Sequence, residues 1–146
     1  MKKYRKAVFI TTYRKEKNKI LYLVLKRKLH WRGYEFPKGG IKKHENLIKA
    51  VARELKEETG QKPLKIIKFK TRGKYLYDKI YPDRKGIKGQ SWKLFSAQIK
   101  SNKIKLDKKE HSGYKWLSLR DAVKKLKFKN QKKCLKIVNK KLARFK

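Results

Sequence analysis

Acidic residues are what this chain lacks most. Of 146 residues only 11 are Asp or Glu, against 47 Lys or Arg, for a formal net charge of +36. That imbalance argues against the ion-pair networks of thermostable proteins, which need carboxylates in comparable number. A single cysteine, Cys134, excludes an internal disulfide and suits a reducing compartment. No apolar run approaches the ~20 residues of a membrane-spanning helix. The first residues, Met1-Lys2-Lys3-Tyr4-Arg5-Lys6 and then Ala7-Val8-Phe9-Ile10, have the charge order of a signal peptide, but Thr11-Thr12-Tyr13-Arg14 ends the apolar run too early. With only three prolines and no repeat or Ser-rich tract, nothing reads as a linker. These absences predict one soluble, cytoplasmic domain over residues 1–146 with no membrane partner. Its length suffices to bury about two thirds of the unfolded surface.

The positive charge admits two readings. It can be an electrostatic footprint for RNA or another polyanion. It can equally be lysine enrichment spread over a solvated surface, because lysine far outnumbers arginine and is scattered through every kind of segment.

The order of segments is legible from periodicity. Residues 7–13 and 20–26 read as strands joined across Lys17-Asn18-Lys19. Residues 64–70, 74–81 and 92–99 read as further strands, with a basic loop at Pro82–Gly89. A short strand at 114–117 leads into Ser118-Leu119-Arg120-Asp121, a capping-box-like helix start. A last helix begins near Asn130, with Leu135, Val138 and Leu142 at core-facing spacing. Strands, an inserted helix, strands again and terminal helices give an α/β or α+β order.

The scarce acids are not scattered. Four of the seven glutamates lie between 45 and 58. The segment reads Gly39, five residues, Glu45, seven residues, then Arg53-Glu54-Leu55-Lys56-Glu57-Glu58-Thr59-Gly60. As a helix, with Asn46 as N-cap and Gly60 as left-handed stop, it brings Glu54, Glu57 and Glu58 within roughly 100° of arc. Leu47, Ile48, Val51, Ala52 and Leu55 fill the neighbouring, core-facing arc. Glu57 and Glu58 then sit in the last turn, where the helix dipole disfavours negative charge, and both repel Glu54. Each penalty is a few tenths of a kcal/mol to about 1 kcal/mol, all of one sign. A divalent cation reverses that sign, and oxygen ligands suit Mg²⁺ or Mn²⁺.

At these residues the chain resembles the Nudix hydrolases, whose signature is G-x5-E-x7-R-E-U-x-E-E-x-G-U with U apolar. Residues 39–61 match every fixed position except the last, where Gln61 replaces the apolar residue. The resemblance implies an α/β/α sandwich with a mixed central sheet, and Mg²⁺-dependent hydrolysis of a phosphoanhydride in a nucleotide substrate. It implies that Glu54, Glu57 and Glu58 are metal-binding glutamates and that Arg53 orients them by pairing. Glu45 reads as a structural or secondary position. Glu110, just before His111-Ser112-Gly113-Tyr114-Lys115-Trp116-Leu117, resembles the glutamate that reaches the metal site in the dinucleoside tetraphosphate and RNA pyrophosphohydrolase branches. It is then a fourth ligand or the general base, and Glu57, Glu58, Glu110 and Arg53 form the catalytic set. His111 reads as a surface residue without a role, and His30 and His44 as unremarkable.

Phe36-Pro37-Lys38-Gly39-Gly40 looks like the entry of diadenosine tetraphosphate hydrolases. Gly86–Phe95 looks instead like a run in RNA 5′-pyrophosphohydrolases and plant-type dinucleoside polyphosphatases. Gly39 and Gly40 would allow close backbone approach. Arg27, Lys38, Lys88 and Lys129 are candidate phosphate contacts, and Tyr75, Tyr77 and Phe128 candidate stacking partners for a base. The expected activity is cleavage of a dinucleoside tetraphosphate to ATP and AMP. RNA 5′-pyrophosphohydrolysis, or an RNA-binding protein without catalysis, are the alternatives.

Overall fold

Polar–apolar alternation along two long strands sets the frame. In the computed structural model, which describes residues 3–144, β1 (Lys3–Glu16) and β2 (Lys19–Arg27) form a hairpin turned by Lys17 at φ 55°. Met1 and Lys2, the start of the signal-like stretch, lie outside the described residues; Ala7–Ile10 are buried in β1.

Five further strands complete one mixed sheet: β3 (Gly33–Glu35), β4 (Lys38–Gly40), β5 (Lys65–Leu76), β6 (Ile87–Gln98) and β7 (His111–Leu117). The main order is β3-β2-β1-β6-β5, with β4 on β1 and β7 on β2. Among the strand pairs of the described residues only β1 and β6 run parallel.

Helices cover both faces. α1 (Leu47–Thr59) packs Ala50, Val51 and Leu55 against Val8, Ile10, Phe95 and Ala97. α2 (Leu119–Lys125) and α3 (Lys129–Ala143) cover the other face, where Leu135, Val138 and Leu142 join Phe9, Tyr22, Val24 and Trp92. The fold is thus a mixed sheet between helices, as expected. Among the described residues no helix is long and apolar enough to cross a membrane.

Several expectations need correction. The two strands expected at 64–70 and 74–81 are one, β5, which ends at Leu76 and carries a register shift between Lys68 and Arg72. Across the shift Phe69, Lys70 and Thr71 oppose Leu94 alone, and Gly73 beyond it marks a close approach to the Trp92 ring. The expected Pro82–Gly89 loop is shorter: Pro82–Arg84 form a 3-10 turn, and β6 already starts at Ile87.

Candidate active site

The site begins with how α1 is entered. The Asn46 side chain accepts from Ile48 N–H at 2.8 Å, and Gly60 at φ 79° ends the helix by donating to Lys56 O. A cap of this kind stabilises a helix by about 1 kcal/mol. The last turn is thereby placed beside β4, where Lys38 N–H donates to Glu58 Oε2 at 3.1 Å.

Arg53 ties strand, loop and helix together. Its guanidinium donates to both Glu45 oxygens, at 2.7 and 2.8 Å, to Gly40 O at 2.8 Å and to Glu54 Oε1 at 2.8 Å. Glu57, more exposed, is 3.4 Å away. The bond from Arg53, joined by Lys42 N–H, holds the Glu45 carboxyl down to about 2. Glu45 is therefore spent on positioning Arg53. A Cβ on Gly39 would overlap the Glu54 carboxylate and displace it, and one on Gly40 would lie 2.6 Å from the Arg5 guanidinium.

Glu54, Glu57, Glu58 and Glu110 line one cavity of about 170 Å³, together with Arg27, Lys38 and Arg84. Burial pushes Glu58 well above the ordinary carboxyl range, and Glu35, Glu110 and Glu54 push it further. Burial also raises Glu54, against the bond from Arg53. Glu58 Oε1 is buried and has no partner. Glu58, Glu110 and His111 offer ligand atoms all within 4.8 Å of one another. An unpartnered carboxylate oxygen among mutually repelling acids is a fit for a divalent cation, and the donor set is oxygen-rich.

Beneath these acids lies a group that sequence reading missed. Glu35 is fully buried, 3.1 Å from Arg27 Nη1, 2.8 Å from His111 Nε2 and 3.8 Å from Lys38 Nζ. Strand register explains the meeting: β2 pairs with β3 and β7 at once, so Leu25 faces Glu35 and Arg27 faces both Gly33 and His111. Burial would raise Glu35, but the surrounding cations and the His111 bond outweigh it and hold it at about 2. Burial pushes Lys38 down to about 8, which Glu35 only partly opposes.

His111 is thus no surface residue. It is fully buried, and β-pairing with Arg27 turns it inward. Facing an ionised carboxylate that can only accept, its Nε2 is the donor, and its Nδ1 is left without a partner. His30 is likewise engaged, bonding Asp83 at 3.0 Å and packing on the Tyr81 ring at 4.3 Å, which ties the β2–β3 connection to the 3-10 turn. His44 is exposed, at φ 64°.

A second cavity, of about 420 Å³, adjoins the acidic one. It is lined by Trp31, Tyr75, Tyr77, Tyr81, Phe128 and Lys129, among others. Trp31 and Phe128 meet edge to face at 5.9 Å, as do Tyr77 and Tyr81 at 5.4 Å. The two cavities share a wall: Arg84 donates to the Tyr77 hydroxyl at 2.9 Å, and the Tyr75 hydroxyl donates to Gln90 at 2.5 Å, with Arg84 and Gln90 lining the acidic side. Arg27 and Lys38 also lie over the Trp31 ring, at 4.6 and 4.5 Å. Lys88 is placed elsewhere, over Tyr4 at 4.8 Å, and lines neither cavity. Trp31 and Tyr81 were not anticipated here: Trp31 lies in the β2–β3 connection, and Tyr81, expected at the end of a strand, lies in the β5–β6 connection.

The NUDIX domain model matches residues 3–136. The chain belongs to the NUDIX family. A NUDIX signature helix accounts for the crowding of acids on α1. An RNA pyrophosphohydrolase of Hahella chejuensis is 35% identical over 103 residues, 63% of this chain and 64% of that protein. The match thus spans just under two thirds of that relative's length. An 8-oxo-dGTP diphosphatase of Buchnera aphidicola is 36% identical over 107 residues, covering 73% of this chain and 72% of the relative. A C. elegans Ap4A hydrolase structure superposes with a TM-score of 0.75 at 27% identity, over 95% of this chain and 98% of its own. Gln61, the departure from the signature, is used as a polar fastener: its side chain donates to Ser101 O and Lys103 O and accepts from Ser101 N–H.

Proposed function

We propose that this protein is a Mg²⁺-dependent pyrophosphohydrolase of nucleoside polyphosphates whose preferred substrate is a dinucleoside tetraphosphate, cleaved by water to ATP and AMP. The observation that carries this reading is the shared wall between an acidic cavity and an aromatic one. A base held among Trp31, Tyr77, Tyr81 and Phe128 leaves its phosphates beside Arg84 and Arg27, next to the glutamates. Substrate charge then meets fixed cations on one side and the metal-binding carboxylates on the other.

Glu54, Glu57, Glu58 and Glu110 would hold Mg²⁺, or Mn²⁺ in its place. When bound, such an ion supplies Lewis-acid neutralisation of phosphate charge and acidifies water. The protein's own part is positioning. Arg53 fixes Glu54 and Glu57, and the Glu35 cluster holds Arg27 and Lys38 where anions arrive. Glu110 is part-exposed and lies 3.8 Å from Arg27, facing the same space. It is the group we assign to accept the proton of the attacking water. The C. elegans Ap4A hydrolase likeness supports the dinucleotide reading.

A second reading, RNA 5′-pyrophosphohydrolysis, is favoured by the Hahella chejuensis relative and by the +36 charge. Hydrolysis of diadenosine tetraphosphate and of a short 5′-triphosphate RNA, side by side with Mg²⁺ at physiological salt, separates them. Preference for the dinucleotide with release of ATP and AMP supports the first. Preference for the RNA replaces it with the second, and no turnover of either leaves only a binding role.

A further inference from the structure

A third cavity, of about 900 Å³, shares no lining residue with the other two. It is an open groove on the α1 face of the sheet, beyond α1 itself. Register builds it. β1 and β6 align Lys6 with Ser91 and Val8 with Lys93, and β6 and β5 align Lys93 with Arg72 and Ser91 with Lys74. Val8 belongs to the core under α1, so Lys6, Lys93, Arg72 and Lys74 project on that same face. The loop into α1 adds Lys42 and Lys43 along the rim. Arg5 and Gln90, one residue earlier on the same strands, alternate away and line the acidic cavity instead.

Six cations therefore converge on one concavity, and none of them joins a salt bridge among the described residues. The carboxylate that lines it, Glu45, is already bound through both oxygens to Arg53. Adjacent strands lie about 4.8 Å apart and i, i+2 residues about 6.6 Å, so the sheet cations form a close lattice rather than isolated points. Uncompensated like charge in a concave site focuses potential and selects an anionic occupant.

We infer that this groove binds the phosphodiester backbone of single-stranded RNA, at a site separate from hydrolysis. A bilayer is too flat to enter a groove, and an acidic protein would have to present a matching ridge. A flexible chain with a charge on every link follows the lattice without either requirement. Recognition here is through phosphate alone and so independent of sequence. The site does not depend on which substrate the glutamates take.

The test uses a labelled 5′-hydroxyl RNA 20-mer, which has no anhydride to cleave, titrated with full-length protein in EDTA and followed by fluorescence anisotropy over a salt series. The double variant R72E/K93E should bind at least 10-fold more weakly, and lose about 1.4 from the slope of log affinity against log salt. The control pair K133E/K136E, on the exposed face of α3, removes the same charge and should change affinity less than 3-fold. R72A/K93A, checked for native circular dichroism, should move affinity the same way by less, and diadenosine tetraphosphate turnover should stay within 2-fold of the parent. Equal losses from both charge-reversal pairs would show diffuse attraction and overturn the site, as would absence of RNA binding. Polyglutamate or phosphatidylserine vesicles that lose binding to R72E/K93E while RNA does not would overturn the RNA assignment.

Discussion

Replacing Glu35 by Gln removes one negative charge and almost no volume from the floor of the acidic cavity. In the native protein three basic partners hold this fully buried carboxyl at about 2, against an ordinary 4.5. A depression of that size corresponds to ~3 kcal/mol of folding free energy at neutral pH. The same figure follows from leaving Arg27 and Lys38 buried without a counter-charge, for which losses of about 3–5 kcal/mol are typical. Because the folded value is depressed, this stability is fully present above the unfolded pKa and is lost as pH falls toward 2. Urea denaturation followed by circular dichroism should therefore show Glu35→Gln less stable by ~3 kcal/mol at pH 7, or about 10 °C in Tm. By pH 3.5 the gap should narrow by about 1–1.5 kcal/mol, as the unfolded carboxyl takes up its proton. A loss below 1 kcal/mol at pH 7, or a gap indifferent to pH, would refute the shared-carboxylate account.

Other consequences are as direct. Gly39→Ala forces the Glu54 carboxylate out of its seat, and kcat should fall by about 10²-fold with the fold retained, as read by steady-state kinetics beside circular dichroism. Glu110→Gln should lower turnover by about 10²–10⁴-fold; unchanged turnover at every pH would remove Glu110 from the mechanism. Phe128→Ala should raise KM by roughly 10- to 100-fold with a smaller effect on kcat, since one stacking contact is worth about 1–3 kcal/mol. In EDTA, Glu58 binds a proton more tightly folded than unfolded, so stability should fall as pH rises above the ordinary carboxyl value; Glu58→Gln should flatten that slope.

The signature helix was legible because its information is local. Asn46, Gly60 and the three glutamates take the positions that spacing alone assigns. Ser118 starts α2 by accepting from Asp121 N–H, for the same reason. What escaped was non-local. β3 and β4 are three residues each, include Gly33, Gly39 and Gly40, and exist only because β2 and β1 pair with them. Glu35 and His111 are 76 positions apart, so no window of sequence shows that they touch. One signal was available for Glu35. In so acid-poor a chain, a glutamate between Tyr34 and Phe36 is out of place unless something buried needs its charge.

That scarcity has a last implication, for how this sequence can change. Beyond the six glutamates at or around the acidic cavity, the carboxylates of four of the remaining five acids also have a partner. Glu16 pairs with Arg14, Asp78 accepts from the Tyr81 hydroxyl, and Asp83 holds His30. Asp107 accepts from Lys109 N–H, and Asp121 lies in the first turn of α2. The carboxylates of so basic a chain thus mark positions where the fold uses an acid. Replacing any of them except Asp121 by lysine would remove a contact described here, and a homologue that tolerates the change would show which contact the fold can spare.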